Sequence, residues 1–175
     1  LSSCAVLAGE RVGLGVGLSP WPEDFEVLRE EWAQRGPRSA EMIEIIRGLM
    51  KGDYFGYKGQ IFELEPIKLC PVPSQPVPIL IGGHADAALK RAARIGDGWI
   101  SAGTTLEELD AYLKKLHAFR AGFGREKEPF EIQNMGASAY TPDGVKRLEE
   151  MGVDEVIVAF RDVYKKQPDT TLEEK

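Results

Sequence analysis

The residues best placed to do chemistry lie between Pro78 and Leu89, where the apolar run Ile79-Leu80-Ile81 stops at Gly82-Gly83 and a helical pattern begins directly afterwards. Paired glycines let a backbone approach a ligand closely, and the N–H groups opening a helix point at that ligand with the positive end of the helix dipole. The chemistry implied is anion binding, above all of the phosphate of a cofactor or substrate. This reading expects the N–H groups of His84 and Ala85 to lack protein acceptors at the C-terminal end of a sheet. It also expects Gly83→Val to abolish cofactor binding with the fold largely intact. The simpler alternative is a tight strand-to-helix turn that holds nothing.

Other chemistry-bearing residues are more scattered. The His84 side chain has two readings, a contact to phosphate or substrate and an ordinary loop histidine. Trp21, in a loop, either lines a substrate pocket or packs. Asp97, between Gly96 and Gly98, reads as a turn former rather than a base, Trp99 as core, and His117 as a structural residue on a helix surface. No Ser-His-Asp or Cys-His arrangement is supported by spacing, and no set of residues has metal-ligand spacing. Cys4 and Cys70 lie far apart, outside any Cys-x-x-Cys motif, and read as free thiols of a reducing cytoplasm.

These residues need a frame. Ala85, Ala88, Leu89, Ala92, Ala93 and Ile95 recur on one helical face, Lys90, Arg91 and Arg94 are solvated, and Gly96 reads as a left-handed stop. Trp99-Ile100 follows as a strand, which completes a βαβ unit. Upstream, Arg11 to Gly17 is a strand too glycine-rich for a good helix. Glu23 to Trp32 and Arg38 to Met50 read as helices punctuated by Gly36-Pro37. Tyr54 to Leu64 reads as a β-hairpin around Lys58-Gly59, and Pro66 to Pro78 as a proline-broken connector. Downstream come a helix opened by a capping box at Thr104 to Glu108, with Leu106, Leu109, Leu113, Leu116 and Arg120 along it, and a strand at Phe130 to Ala137. Last are a helix capped by Thr141 and ending near Gly152, and a buried strand over Val156 to Phe160. Strands alternate with helices, so the class is α/β, with five strands in the main sheet.

The 175 residues are 43% hydrophobic and 29% charged, enough for one sizeable core in a soluble domain spanning 1–175. Against 22 basic residues stand 28 acidic ones, and the net charge of −6 repels a nucleic-acid backbone. No apolar run of about 18 residues is present to span a bilayer, and no basic region opens a secretory signal. The expectation is a cytoplasmic protein with a small-molecule substrate, without nucleic-acid or membrane partners. Five strands would suit an open doubly wound sheet. However, after Gly13-Leu14-Gly15 the sixth position of a dinucleotide fingerprint is Leu18, with Pro20 and Pro22 where its helix should start.

Five segments in order, Arg11 to Gly17, Arg35-Gly36-Pro37-Arg38 with Glu41, Tyr57 to Phe62, Pro78 to Gly83 and Ala92 to Ile100, resemble the bacterial luciferase-like monooxygenases over nearly the whole chain. The resemblance implies a (β/α)8 TIM barrel using FMN or the deazaflavin F420, slightly favouring F420, for hydride and oxygen chemistry on small organic molecules. It places the cofactor's phosphate at Gly82, Gly83, His84, Ala85 and Ala88, and the ring beside Gly15 and Gly17. Ala85 and Ala88 stand where the family often has Ser or Thr, which leaves the grip to backbone N–H groups.

By the same resemblance the chain holds about strands four to eight of an incomplete barrel, with a small β-hairpin insertion. Leu1 to Ala8 would be the tail of a third helix, Thr170 to Lys175 a helix start cut short, and the catalytic residues would belong to missing strands. Unpaired sheet edges then imply a homo-oligomer, as is usual in the family. Three functions remain open: a flavin- or F420-dependent oxidoreductase or monooxygenase, inactive as this isolated stretch; a non-catalytic flavin-binding relative; and a phosphosugar-type barrel enzyme.

Overall fold

In the computed structural model, which describes residues 1–159, five short parallel strands form one sheet and a two-stranded hairpin stands apart from it. The order along the chain is α1 (Ser2–Leu7), β1 (Leu14–Val16), α2 (Pro22–Leu28), α3 (Arg35–Leu49), β2 (Phe55–Lys58) and β3 (Glu63–Ile67). It continues with β4 (Ile79–Gly82), α4 (Asp86–Ile95), β5 (Gly98–Ala102), α5 (Leu106–Gly122), β6 (Glu131–Met135), α6 (Pro142–Glu150) and β7 (Glu155–Val156). The sheet runs β1-β4-β5-β6-β7, every pair parallel, so each new strand joins the same growing edge. A doubly wound sheet reverses direction part-way; this one does not.

The sheet's two faces differ sharply. Successive residues point to opposite sides, and Ile79, Ile81, Trp99 and Ile132 all fall on one of them. There they meet Ile43 of α3, Leu89, Ala92 and Ala93 of α4, Leu109, Leu113 and Leu116 of α5, and Leu148 of α6 in a single buried core. The opposite face carries Gly15, Leu80, Gly98 and Glu131 in register. Helices thus cover one side of the sheet and leave a thin surface with Gly15 and Gly98 on the other, the layering found in the wall of a β/α barrel.

Several elements differ from the sequence reading. The first helix stops at Leu28, where Arg29 takes a left-handed conformation (φ 56°), and Trp32–Gln34 forms a separate 3-10 turn. Gly36-Pro37 is not a break: it sits in the first turn of α3, where proline's missing N–H costs nothing. Gly96 is extended (φ −81°, ψ 156°) rather than left-handed. It is needed for space, since a Cβ there would lie 2.8 Å from the Ala92 carbonyl oxygen.

The hairpin loop spans residues 59–62 rather than turning tightly at Lys58-Gly59, and β3 runs through Pro66 to Ile67, as proline permits on an edge strand. Ala137–Tyr140 is a 3-10 turn beyond β6. Strand β7 is short, and its Val156 and the following Ile157 and Val158 are exposed, contrary to the expected buried strand, because it pairs on one side only among the described residues. Phe160 and Thr170 to Lys175 lie outside the described residues. Among those described, no helix is long and apolar enough to cross a membrane.

Candidate functional site

The glycine turn lies at the C-terminal end of β4. Gly83 has φ 113°, and a Cβ on it would come within 2.9 Å of the Ala88 Cβ, so both conformation and space demand glycine. The expected fold-neutral Gly83→Val is therefore corrected: any side chain here strains the turn. Ala85 is the N-cap of α4 and offers no side-chain cap; its carbonyl accepts from the N–H groups of Ala88 and Leu89 at 2.8 and 3.0 Å. Among the described residues nothing accepts from the N–H of His84 or of Ala85. Asp86 does not cap the helix either. Its carboxylate pairs with Lys115 Nζ at 2.9 Å, and that hydrogen bond, helped by the Lys115 charge, holds its pKa below the usual carboxylate range.

The neighbouring strand end completes the setting. A Cβ on Gly82 would sit 3.6 Å from the Val16 carbonyl oxygen and 4.0 Å from the Gly17 Cα, whereas one on Gly17 would meet nothing within 4 Å. Gly15 lies lower on the inner face, where a Cβ would approach Ile100 Cδ1 to 3.0 Å. Gly17, Gly82, Gly83, His84, Ala85 and Ala88 thus converge on one rim of the sheet, with Gly15 beneath them.

The His84 ring turns toward α5. It stacks on Tyr112 with centroids 4.9 Å apart and planes 6° from parallel, and it meets Trp99 edge-on at 6.1 Å. The Ala102 N–H donates to Nε2 over a long 3.4 Å, with Ser101 Oγ at 3.5 Å. Behind it a buried polar chain runs from Ser101 Oγ to Thr104 Oγ1 (3.0 Å), which accepts from Asn134 Nδ2 (3.3 Å). Trp99 is fully buried, as expected of core, but its indole N–H also donates to the Gly83 carbonyl at 3.0 Å. Sequence reasoning missed Tyr112, Ser101, Thr104 and Asn134 in this role. The available signal was Ser101, a polar residue near the end of the largely apolar β5; Tyr112 on α5 and Asn134 within the polar β6 carried none.

Other candidates lie elsewhere. Trp21 is 55% exposed at the start of α2, and His117 is exposed on α5. Asp97 is structural: its Oδ2 accepts from the Ile79 N–H at 2.9 Å and from Arg47 Nη2 at 2.7 Å, tying α3 to the opposite end of β4. Among the described residues, no three His, Cys, Asp or Glu side chains are grouped to hold a metal.

Residues 4–167 match the family described as luciferase-like monooxygenase. The chain belongs to this family. An uncharacterised protein of Mycobacterium tuberculosis is 51% identical over 168 residues, covering 96% of this chain and 58% of its own length. An F420-dependent glucose-6-phosphate dehydrogenase of Amycolatopsis mediterranei is 34% identical, over 66% of this chain and 35% of its own. Among solved structures, an F420-dependent secondary alcohol dehydrogenase in complex with an F420–acetone adduct superposes with a TM-score of 0.64 at 20% identity, over 77% of this chain and 42% of that one. The chain therefore spans less than two thirds of these luciferase-like relatives, and its sheet and hairpin match part of their TIM-barrel-type fold.

Proposed function

We propose that this luciferase-like chain carries the phosphate-binding part of an oxidoreductase or monooxygenase that uses F420, or alternatively FMN, on a small organic substrate. One observation carries the reading: the N–H groups of His84 and Ala85 have no acceptor among the described residues, and they open onto a strand end where Gly17 leaves free space. An uncapped helix start of that kind fits a phosphate. When bound, the cofactor supplies the hydride or oxygen chemistry. The chain binds and orients it: backbone donors of residues 84–87 hold the phosphate, and Gly15 and Gly17 make room for the ring.

F420 comes first because the Amycolatopsis relative and the alcohol dehydrogenase structure both carry it in their names. The reading extends to a homo-oligomer, supported by β1 and β7 each pairing on one side only among the described residues. Fluorescence titration of the full-length protein with F420, FMN and a sugar phosphate tests the assignment. Saturable binding of F420 or FMN that sugar phosphate does not displace is the expected result. Binding of the sugar phosphate alone would overturn it, and flavin binding without turnover on any alcohol, aldehyde or sulfonate would favour a non-catalytic relative.

A further inference from the structure

Resting on that phosphate-site reading, we propose that His84 is a positioning residue: its ring clamps the Gly82–Gly83 turn against β5 and α5, so that the backbone N–H groups, not the imidazole, meet the phosphate. The His84, Tyr112 and Trp99 rings pack mutually, Trp99 and Tyr112 meeting edge-on at 6.3 Å. Trp99 is immobilised in the core and holds the Gly83 carbonyl, while Tyr112 rides on α5, so the turn is gripped on both sides. The Ala102 N–H can only donate. His84 Nε2 is therefore the acceptor in that contact. Asp86, two residues after His84, and Lys115, on α5 with Tyr112, are paired with each other at 2.9 Å.

The physical need for a clamp comes from Gly83. A glycine at φ 113° is free to leave that conformation when unconstrained, and ordering it only upon ligand arrival would subtract from affinity. The ring stack does the ordering beforehand. This predicts a loss specific to the phosphate, because a flavin ring bound elsewhere in the pocket does not depend on the turn.

FMN and riboflavin, which differ only in the phosphate, are the probes, applied to the full-length protein and to His84→Ala and His84→Phe. His84→Ala should weaken FMN on the order of tenfold, the size expected when the ordering of one or two residues moves to the binding step, and leave riboflavin unchanged. His84→Phe keeps the stack on Tyr112 and should restore most of the FMN affinity. Equal loss in both variants would mean that the imidazole itself touches the phosphate, and no loss in either would mean that no clamp exists; both overturn the proposal. Wild-type protein that binds FMN and riboflavin equally would instead overturn the phosphate-site reading. The clamp also has a ligand-free readout, hydrogen exchange of the Trp99 indole N–H. It should speed up in His84→Ala and recover in His84→Phe, and unchanged exchange in His84→Ala overturns the clamp whether or not a phosphate binds.

Discussion

Two adjacent glycines at the turn do different work, and substitutions can separate them. At Gly82 a methyl group would find only ordinary contacts, the nearest atom lying 3.6 Å away, and its φ is not positive. Gly82→Ala should be close to neutral, the lower entropy of the unfolded chain offsetting any tightening of contacts. Gly83→Ala must adopt φ 113° with its Cβ against Ala88, which should cost about 1–3 kcal/mol. Thermal denaturation should therefore show an unchanged midpoint for the first and a fall of several degrees for the second, about 2–4 °C per kcal/mol in a chain of this size. Equal midpoints would mean that the turn relaxes and that Gly83 is not required by its backbone.

At the scale of elements, carboxylates and caps decide how pieces attach. The Glu41 side chain on α3 accepts from the N–H groups of Gln60, Ile61 and Phe62 and so fastens the hairpin loop. Burial acts to raise its pKa, but the donors at Phe62, Gln60 and Ile61 outweigh it and hold the group below the usual carboxylate range. A depressed folded-state pKa stabilises above the unfolded value and is lost as pH falls through the folded one. The protection of residues 55–67 against hydrogen exchange, taken relative to the unfolded rate at each pH, should thus be high at neutral pH and fall below about pH 4, where unfolded carboxylates begin to protonate. Glu41→Gln should show reduced protection already at neutral pH.

Helix α5 is held differently, by a reciprocal capping box. The Glu108 N–H donates to Thr105 Oγ1 at 3.2 Å, and the Thr105 N–H donates to Glu108 Oε2 at 2.9 Å. Thr105→Ala should destabilise the protein by about 1 kcal/mol. Chemical denaturation should show this as a lower midpoint at unchanged slope.

Across the whole molecule, what stands out is a core on one side of the sheet and, among the described residues, a strand at each end that pairs on one side only. Val156 in β7 and Ile157 and Val158 just after it expose 36%, 37% and 42% of their surface, where backbone groups invite another strand. The 175-residue chain should therefore associate with rising concentration in sedimentation velocity. Val156→Lys, placing a charge on that edge, should shift it toward the monomer with an unchanged circular dichroism spectrum. A concentration-independent monomer in the parent chain would remove the argument that β1 and β7 need covering.

Much of the architecture was legible in the chain, for local reasons. Ile79-Leu80-Ile81 is apolar over too short a span for a helix, Thr105 and Glu108 have cap spacing, and Gly82-Gly83 must interrupt whatever precedes them; each signal lies within a few residues. The five strand positions followed, and the family resemblance pointed to the TIM-barrel-type fold that the parallel sheet matches in part. Boundaries and partners did not follow, because they depend on what each segment meets. Gly96 does end α4 but looks like a left-handed stop until the Ala92 carbonyl is seen beside it, and Val156 looks buried until its strand is seen to pair on one side only among the described residues. The indole of Trp99 and the carbonyl of Gly83 are sixteen residues apart, and only parallel register brings β4 beside β5 closely enough for them to bond. His84 shows the same division: a loop histidine in sequence, it acquires its place from the stack with Tyr112, which exists only once α5 packs against α4 over the sheet.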